Sequence, residues 1–198
     1  MKRLRAQLSF CNELEKLKSV TRFNRTLDSR YENSAEHSWQ VALVAVLLRE
    51  YYDAELNMEI VLELLLIHDL GEIYAGDTWV FDDSKKNTSS QRELNSISKS
   101  ITQLPNDQKE NILNLWNEFE FGVSSEARYA RVIDALVPLI NHLEVSEENF
   151  NPDNITAQMV LKKKEFIKNE SDKLWRLTKE LIEASIEKGL YIGLNETK

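Results

Sequence analysis

Apolar residues return along this chain at every third or fourth position, the spacing of helices with one buried face. Leu4, Leu8, Cys11 and Leu14 form one such stripe, and His37, Val41, Val44 and Leu48 form a second. A third helix is expected after Asn57, running through Ile60, Val61, Leu64, Leu65 and His68, with Gly71 interrupting it near its end. Residues 76–87 then read as one long irregular stretch. Thr88 with Gln91 three residues on has the form of a capping box for a helix carrying Leu94, Ile97 and Ile101. Pro105 suits the start of the next helix, with Ile112, Leu115, Trp116 and Phe119 on one side. Beyond Gly122 a helix beginning near Ser124 holds Tyr129, Val132, Ile133, Leu136, Leu139, Ile140 and Leu143. After a polar segment over 145–154 come two more, from Ile155 to Phe166 and from Asp172 to Glu187, the last closed by Gly189. Strand-like alternation is scarce. The expected fold class is all-α, a helical bundle forming one domain over residues 1–198, with no linker and no internal repeat.

Composition narrows the chemistry. The 198 residues include 25 Lys and Arg against 33 Asp and Glu, a net charge of -8, so no basic stripe is available for a nucleic acid polymer. Five glycines, three prolines and one cysteine exclude a Gly-rich phosphate loop and a disulfide framework. The longest apolar runs, Val41 to Leu48 and Leu64 to Ile67, fall short of the roughly 20 residues that span a bilayer. The N-terminal residues lack the apolar core of a signal peptide, so a cytoplasmic location is expected, away from membranes, with Cys11 a reduced thiol in the core. Lys162, Lys163 and Lys164 read as a solvated helix face. With three histidines in the whole chain, any metal site must lean on carboxylates.

His37, the pair His68-Asp69 and Asp134 each stand within a helical apolar stripe, where an imidazole or carboxylate needs a partner. Each histidine taken alone reads as a core residue bonded to a carbonyl, and Asp134 as the ion-pair partner of Arg128 or Arg131. Taken together, groups from three helices can complete one ion's shell, which two neighbours cannot. Pro138 removes the hydrogen bond to the carbonyl of Asp134, and a loosened turn there is expected to aim the Asp134 side chain. His142 lies eight residues beyond Asp134, about 80° round an ideal helix, and is not counted as a ligand.

The order of these residues, with the segments around them, resembles the HD-domain metal-dependent phosphohydrolases. The matching segments are Asn33-Ser34-Ala35-Glu36-His37-Ser38, Ile67-His68-Asp69-Leu70-Gly71-Glu72, Ala75-Gly76-Asp77, Leu115-Trp116-Asn117-Glu118-Phe119-Glu120, Ser125-Glu126-Ala127-Arg128 and Val132-Ile133-Asp134. They cover about residues 20–145 and are similar to the small single-domain branch that includes bacterial 5′-deoxynucleotidases, with a C-terminal helical extension over about 154–190.

The resemblance implies one divalent ion, of manganese, cobalt, magnesium, zinc, nickel or iron, held by His37, His68, Asp69 and Asp134 inside the bundle. It implies catalytic roles for Glu72 and Asp77, a phosphate-orienting role for Arg22, and substrate contacts from Phe23, Asp77 and Thr78. Phe23 stands where the family often has Trp, and Thr78-Trp79-Val80-Phe81 replaces a proline-containing segment. The expected activity is hydrolysis of a small nucleotide, first a 5′-deoxynucleoside monophosphate, with another nucleotide or a regulatory nucleotide-binding role as alternatives. A homodimer is the expected assembly.

Overall fold

The computed structural model describes residues 1–193, so the last five residues of the expected domain lie outside the described part. Among the described residues, nine α-helices and one small hairpin follow in the order α1 (Lys2–Leu14), β1 (Thr21–Arg25), β2 (Tyr31–Asn33), α2 (Ser34–Leu48), α3 (Met58–Ile67), α4 (Glu72–Ala75), α5 (Asp83–Ser100), α6 (Asn106–Phe121), α7 (Ser125–Val145), α8 (Ala157–Lys164) and α9 (Asp172–Glu187). Short 3-10 turns extend four of these, including His68–Gly71 between α3 and α4.

Helix α7 is the axis of the bundle. Its Tyr129, Val132, Ile133 and Leu136 are buried in one cluster with Val41 and Ala45 of α2, Val61, Leu64 and Leu65 of α3, and Leu174 of α9. Burial of a Leu- or Val-sized side chain stabilises a fold by roughly 1.5–3 kcal/mol, so this cluster is the main apolar support of the elements that carry the site. A second cluster joins Leu17 to Ile97, Ile101, Leu104 and Trp116, fixing α5 and α6 against the start of the chain. A third joins Leu139 of α7 to Val160 of α8 and Ile182 of α9, with Trp79 and Phe81 packed on it. None of the described helices is long and apolar enough to cross a membrane.

Helix α9 has the bounds that periodicity predicts, and α6 and α7 have Pro105 and Ser124 as their N-cap residues, in line with the expected starts. Other expectations need correction. The stripe Leu4, Leu8 and Cys11 of α1 faces solvent, and Cys11 is exposed. Phe10, the larger apolar anchor, selects the inner face together with Leu14 and Leu17. Helix α5 begins at Asp83, capped by the Asp82 side chain accepting from the Lys85 amide at 3.1 Å, and not at Thr88. Its first turns carry Lys85, Lys86 and Asn87 on the outside, so no apolar stripe marks them, and Thr88 donates back to the Lys85 carbonyl. The last helix before α9 is shorter than expected, passing into a 3-10 turn at Glu165.

The hairpin is the element that periodicity misses. Strands β1 and β2 pair antiparallel with Thr21 opposite Asn33 and Arg25 opposite Tyr31. On β1 the inward positions are Arg22 and Asn24, so its alternation is one of polar residues and carries no hydrophobic pattern. Asn24 donates to the carbonyl of Pro138 at 3.0 Å, tying the hairpin to α7. Helix α7 itself runs unbroken through Pro138.

Candidate metal centre

The first turn of α2 is set by a capping box: Asn33 accepts from the Glu36 amide at 3.0 Å, and Glu36 accepts from the Asn33 amide at 3.2 Å. This fixes His37 one turn into the helix with its ring fully buried. Its Nε2 lies 2.8 Å from Oδ1 of Asp134 on α7.

At the end of α3 the chain tightens into the 3-10 turn His68–Gly71. Residues three apart eclipse in such a turn, so Asp69 and Glu72 fall on one line and His68 on another. Nδ1 of His68 donates to the Leu65 carbonyl at 2.7 Å, leaving the lone pair on Nε2. That Nε2 is buried with no hydrogen-bond partner. It lies 3.1 Å from Oδ1 of Asp69 and 3.4 Å from Oδ1 of Asp134.

The ligand atoms of His37, His68 and Asp69 all lie within 4.8 Å of one another. An orphaned imidazole nitrogen, a second imidazole and two converging carboxylates fit a divalent cation with mixed nitrogen and oxygen ligands. The alternatives for these residues fare differently. His68 does bond a carbonyl, but through one nitrogen only. Arg131 donates to the carbonyls of Phe119 and Gly122, and Arg128 pairs with Glu170 at 3.6 Å, so neither engages Asp134. His142 bonds Ser146 and stacks on Tyr191, away from the cluster.

Arg22 projects from β1 onto the carboxylate line of the 3-10 turn. Its Nη1 donates to Asp69 Oδ2 at 2.9 Å and stands 3.6 Å from Glu72 and 4.0 Å from Asp77. Glu72 also accepts from Ser34 Oγ at 2.5 Å. Phe23, the next residue on β1, is 55% exposed and stacks on Trp79 at 5.9 Å. Thr78 accepts from Arg92 at 2.9 Å, which holds the start of the Thr78-Phe81 segment. The structure thus brings Arg22, His37, His68, Asp69, Glu72, Asp77 and Asp134 together, and leaves Phe23 and Thr78 at the edge.

Clustered carboxylates dominate the electrostatics of the site. Burial opposes the charge on Arg22, but Asp69, Glu72, Asp77 and Asp134 outweigh it and hold the guanidinium protonated. Burial likewise opposes a charged His68, yet Asp69 and Asp134 push it up to about 9. Burial would raise Asp134, but the hydrogen bond from His37 and the charge of the neighbouring His68 bring it well below the usual carboxylate range instead. Glu72 is raised well above that range by burial first and by Asp69 second.

Sequence reasoning missed three groups. Glu32 on β2 is buried, with Oε2 3.7 Å from Arg22 Nε and 3.8 Å from His37 Nδ1. Glu93 on α5 is pushed up to about 7 by burial and by Glu120. Lys164, at the end of α8, is half-buried in the field of Asp134 and Arg22 rather than on a solvated face, and burial pushes its ammonium down to about 8. The sign available in the sequence is the single turn separating Lys164 from the apolar Val160 and Leu161.

Comparison with known proteins follows the same lines. The HD-domain family model matches residues 14–175. A crystal structure of a predicted metal-dependent phosphohydrolase from Magnetospirillum magnetotacticum superposes with a TM-score of 0.87 at 36% identity, covering 96% of each chain. The 5′-deoxynucleotidase HDDC2 of Homo sapiens is 28% identical over 154 residues, 76% of this chain and 74% of that protein. The 5′-deoxynucleotidase PM0747 of Pasteurella multocida is 24% identical over 159 residues, 75% of this chain and 82% of that one. The chain belongs to the HD-domain family.

Proposed function

We propose that this HD-domain phosphohydrolase removes phosphate from 5′-deoxynucleoside monophosphates, with one divalent ion held by His37, His68, Asp69 and Asp134. The observation that carries the metal reading is the buried, unpartnered Nε2 of His68, aimed at the point where His37, Asp69 and Asp134 converge. The substrate class rests on the named deoxynucleotidase relatives and on Arg22, the partly buried cation beside that point.

When bound, the ion supplies the positive charge that acidifies water and offsets the charge of a phosphate. The chain's own groups do the rest. Arg22 presents a planar fork of donors to phosphate oxygens, and it is already held in place by Asp69. Glu72, fixed by Ser34, takes the proton of the attacking water as its oxygen bonds to phosphorus. The bond from phosphorus to the 5′ oxygen breaks, and the proton passes to that oxygen, giving a deoxynucleoside and inorganic phosphate. Asp77, beside Arg22, faces the sugar and the water. Phe23, stacked on Trp79, and Thr78 line the nucleotide side, and Lys164 adds a positive charge near Asp134.

Helices α2, α3, α6 and α9 pack on α7, and α5 packs on α4 and α6, so the described helices act as one domain. The exposed stripe Trp39, Leu43, Val46 and Leu47 on α2 supports a homodimer, and the free, exposed Cys11 suits a reducing cytoplasm. The test is a phosphate-release screen over ribo- and deoxynucleoside mono- and triphosphates with Mn2+, Co2+ or Mg2+. Preferential release from deoxynucleoside monophosphates supports the proposal; release from triphosphates alone refutes it.

A further inference from the structure

Glu32 lies on the far side of His37 from the convergence point of the ligands. Its Oε2 and the Nδ1 of His37 are both buried, neither has a hydrogen-bond partner, and they face each other at 3.8 Å. The same Oε2 stands 3.7 Å from Nε of Arg22. The other carboxylate oxygen accepts from Asn141 at 3.5 Å, and Asn141 exchanges two hydrogen bonds with Gln40, one turn beyond His37. Glu32 therefore touches β1, α2 and α7, the elements that carry Arg22, His37 and Asp134.

The tautomer of His37 gives this arrangement a purpose. Its Nε2 now meets Asp134 at 2.8 Å, where a hydrogen bond needs a proton on Nε2. To ligate a cation, Nε2 must present its lone pair, and the proton then belongs on Nδ1, which needs a buried acceptor. The group that faces Nδ1 is Glu32, and a shift of less than 1 Å would close the gap to about 2.9 Å.

We infer that Glu32 is a positioning residue that joins the two halves of the site: it accepts the Nδ1 proton of His37, setting Nε2 for the metal, and it holds the Nε side of Arg22, setting Nη1 for the phosphate. This inference rests on the metal and phosphate reading given above. It places Glu32 in contact with neither the ion nor the reacting atoms.

The test compares the full-length wild-type protein with Glu32→Gln and Glu32→Leu. Mn2+ affinity is read by electron paramagnetic resonance, kcat and KM are read for dAMP, and melting temperature reports the fold. Glutamine keeps the shape and an oxygen that accepts from Nδ1, but not the charge that holds Arg22. Glu32→Gln is therefore expected to bind Mn2+ within about 3-fold of wild type, while its KM rises about 10-fold and kcat changes less. Glu32→Leu is expected to lose 10–100-fold in Mn2+ affinity as well. Wild-type Mn2+ affinity and KM in both variants would overturn the inference while leaving the metal reading intact. An equal loss of affinity in both variants, tracking a lowered melting temperature, would also overturn it by making Glu32 merely structural. No Mn2+ binding by the wild type would sink the metal reading, and this inference with it.

Discussion

Nε2 of His37 and Oδ1 of Asp134 meet at 2.8 Å across 97 positions of sequence, one from the first turns of α2 and the other from the middle of α7. The contact joins the two helices at the point where His68 and Asp69 arrive from a third element. Asp134→Ala removes the carboxylate shared by both imidazoles. Divalent-metal affinity is expected to fall by more than about 100-fold, with helical content retained. Metal analysis after dialysis, alongside circular dichroism, checks this; full occupancy in the variant would remove Asp134 from the ligand set.

Arg22 is the phosphate donor in this account, and its partly buried position among carboxylates makes its geometry matter as much as its charge. A charge-assisted hydrogen bond contributes about 1.5–3 kcal/mol, so Arg22→Gln is expected to raise KM by roughly 10- to 100-fold. Arg22→Lys keeps the charge but not the fork, and should recover only part of the loss. Steady-state kinetics on dAMP distinguish the two, and a lysine variant equal to wild type would contradict the bidentate role.

The candidate ligands were legible in the sequence and the residues around them were not. His37, His68 and Asp134 stand out because polar groups interrupt apolar stripes, and Asp69 stands out beside a histidine. Arg22 and Glu32 sit on a hairpin whose inward residues are themselves polar, so no stripe exists for them to interrupt. The eclipsing of Asp69 and Glu72 depends on α-helix giving way to a 3-10 turn at His68, three residues before the glycine expected to interrupt the helix. Lys164 read as solvated because the charges around it in sequence, Lys162, Lys163 and Glu165, hide the packing of the same helix through Val160.

Gly71 has an ordinary negative backbone angle, and its role lies in close approach. A Cβ there would stand 2.7 Å from Cβ of Glu93 and 3.2 Å from its backbone, so α5 would have to move. Gly71→Ala is expected to destabilise the protein by about 1–3 kcal/mol and to lower kcat by displacing the adjacent Glu72. Urea unfolding with parallel kinetics tests both. Unchanged stability would show that α5 yields freely.

Glu93 itself gives a pH signature in the metal-free protein. Burial and the neighbouring Glu120 push its carboxyl up to about 7, from about 4.5 in the unfolded chain. Below about pH 4.5 the proton is held in both states and the group contributes nothing to pH dependence. Between 4.5 and 7 the folded state alone holds it, so this contribution to stability falls as pH rises, and the full loss is present above 7. Glu93→Gln should therefore be more stable than wild type at pH 8, by at most about 3 kcal/mol, with the advantage shrinking toward pH 5. Melting curves across pH, with chelator present, check the sign; an advantage that grows on acidification would contradict it.

The central claim is that one divalent ion at His37, His68, Asp69 and Asp134 lets Glu72 and Arg22 direct phosphate release. The most direct measurement is phosphate and deoxynucleoside release from dAMP by chelator-stripped protein, before and after adding Mn2+, for wild type and Glu72→Ala. The account predicts release in equal amounts only after Mn2+ is restored, and a fall of at least about 100-fold in Glu72→Ala with Mn2+ binding unchanged. Turnover that is indifferent to the metal, or a Glu72→Ala variant as active as wild type, would contradict it.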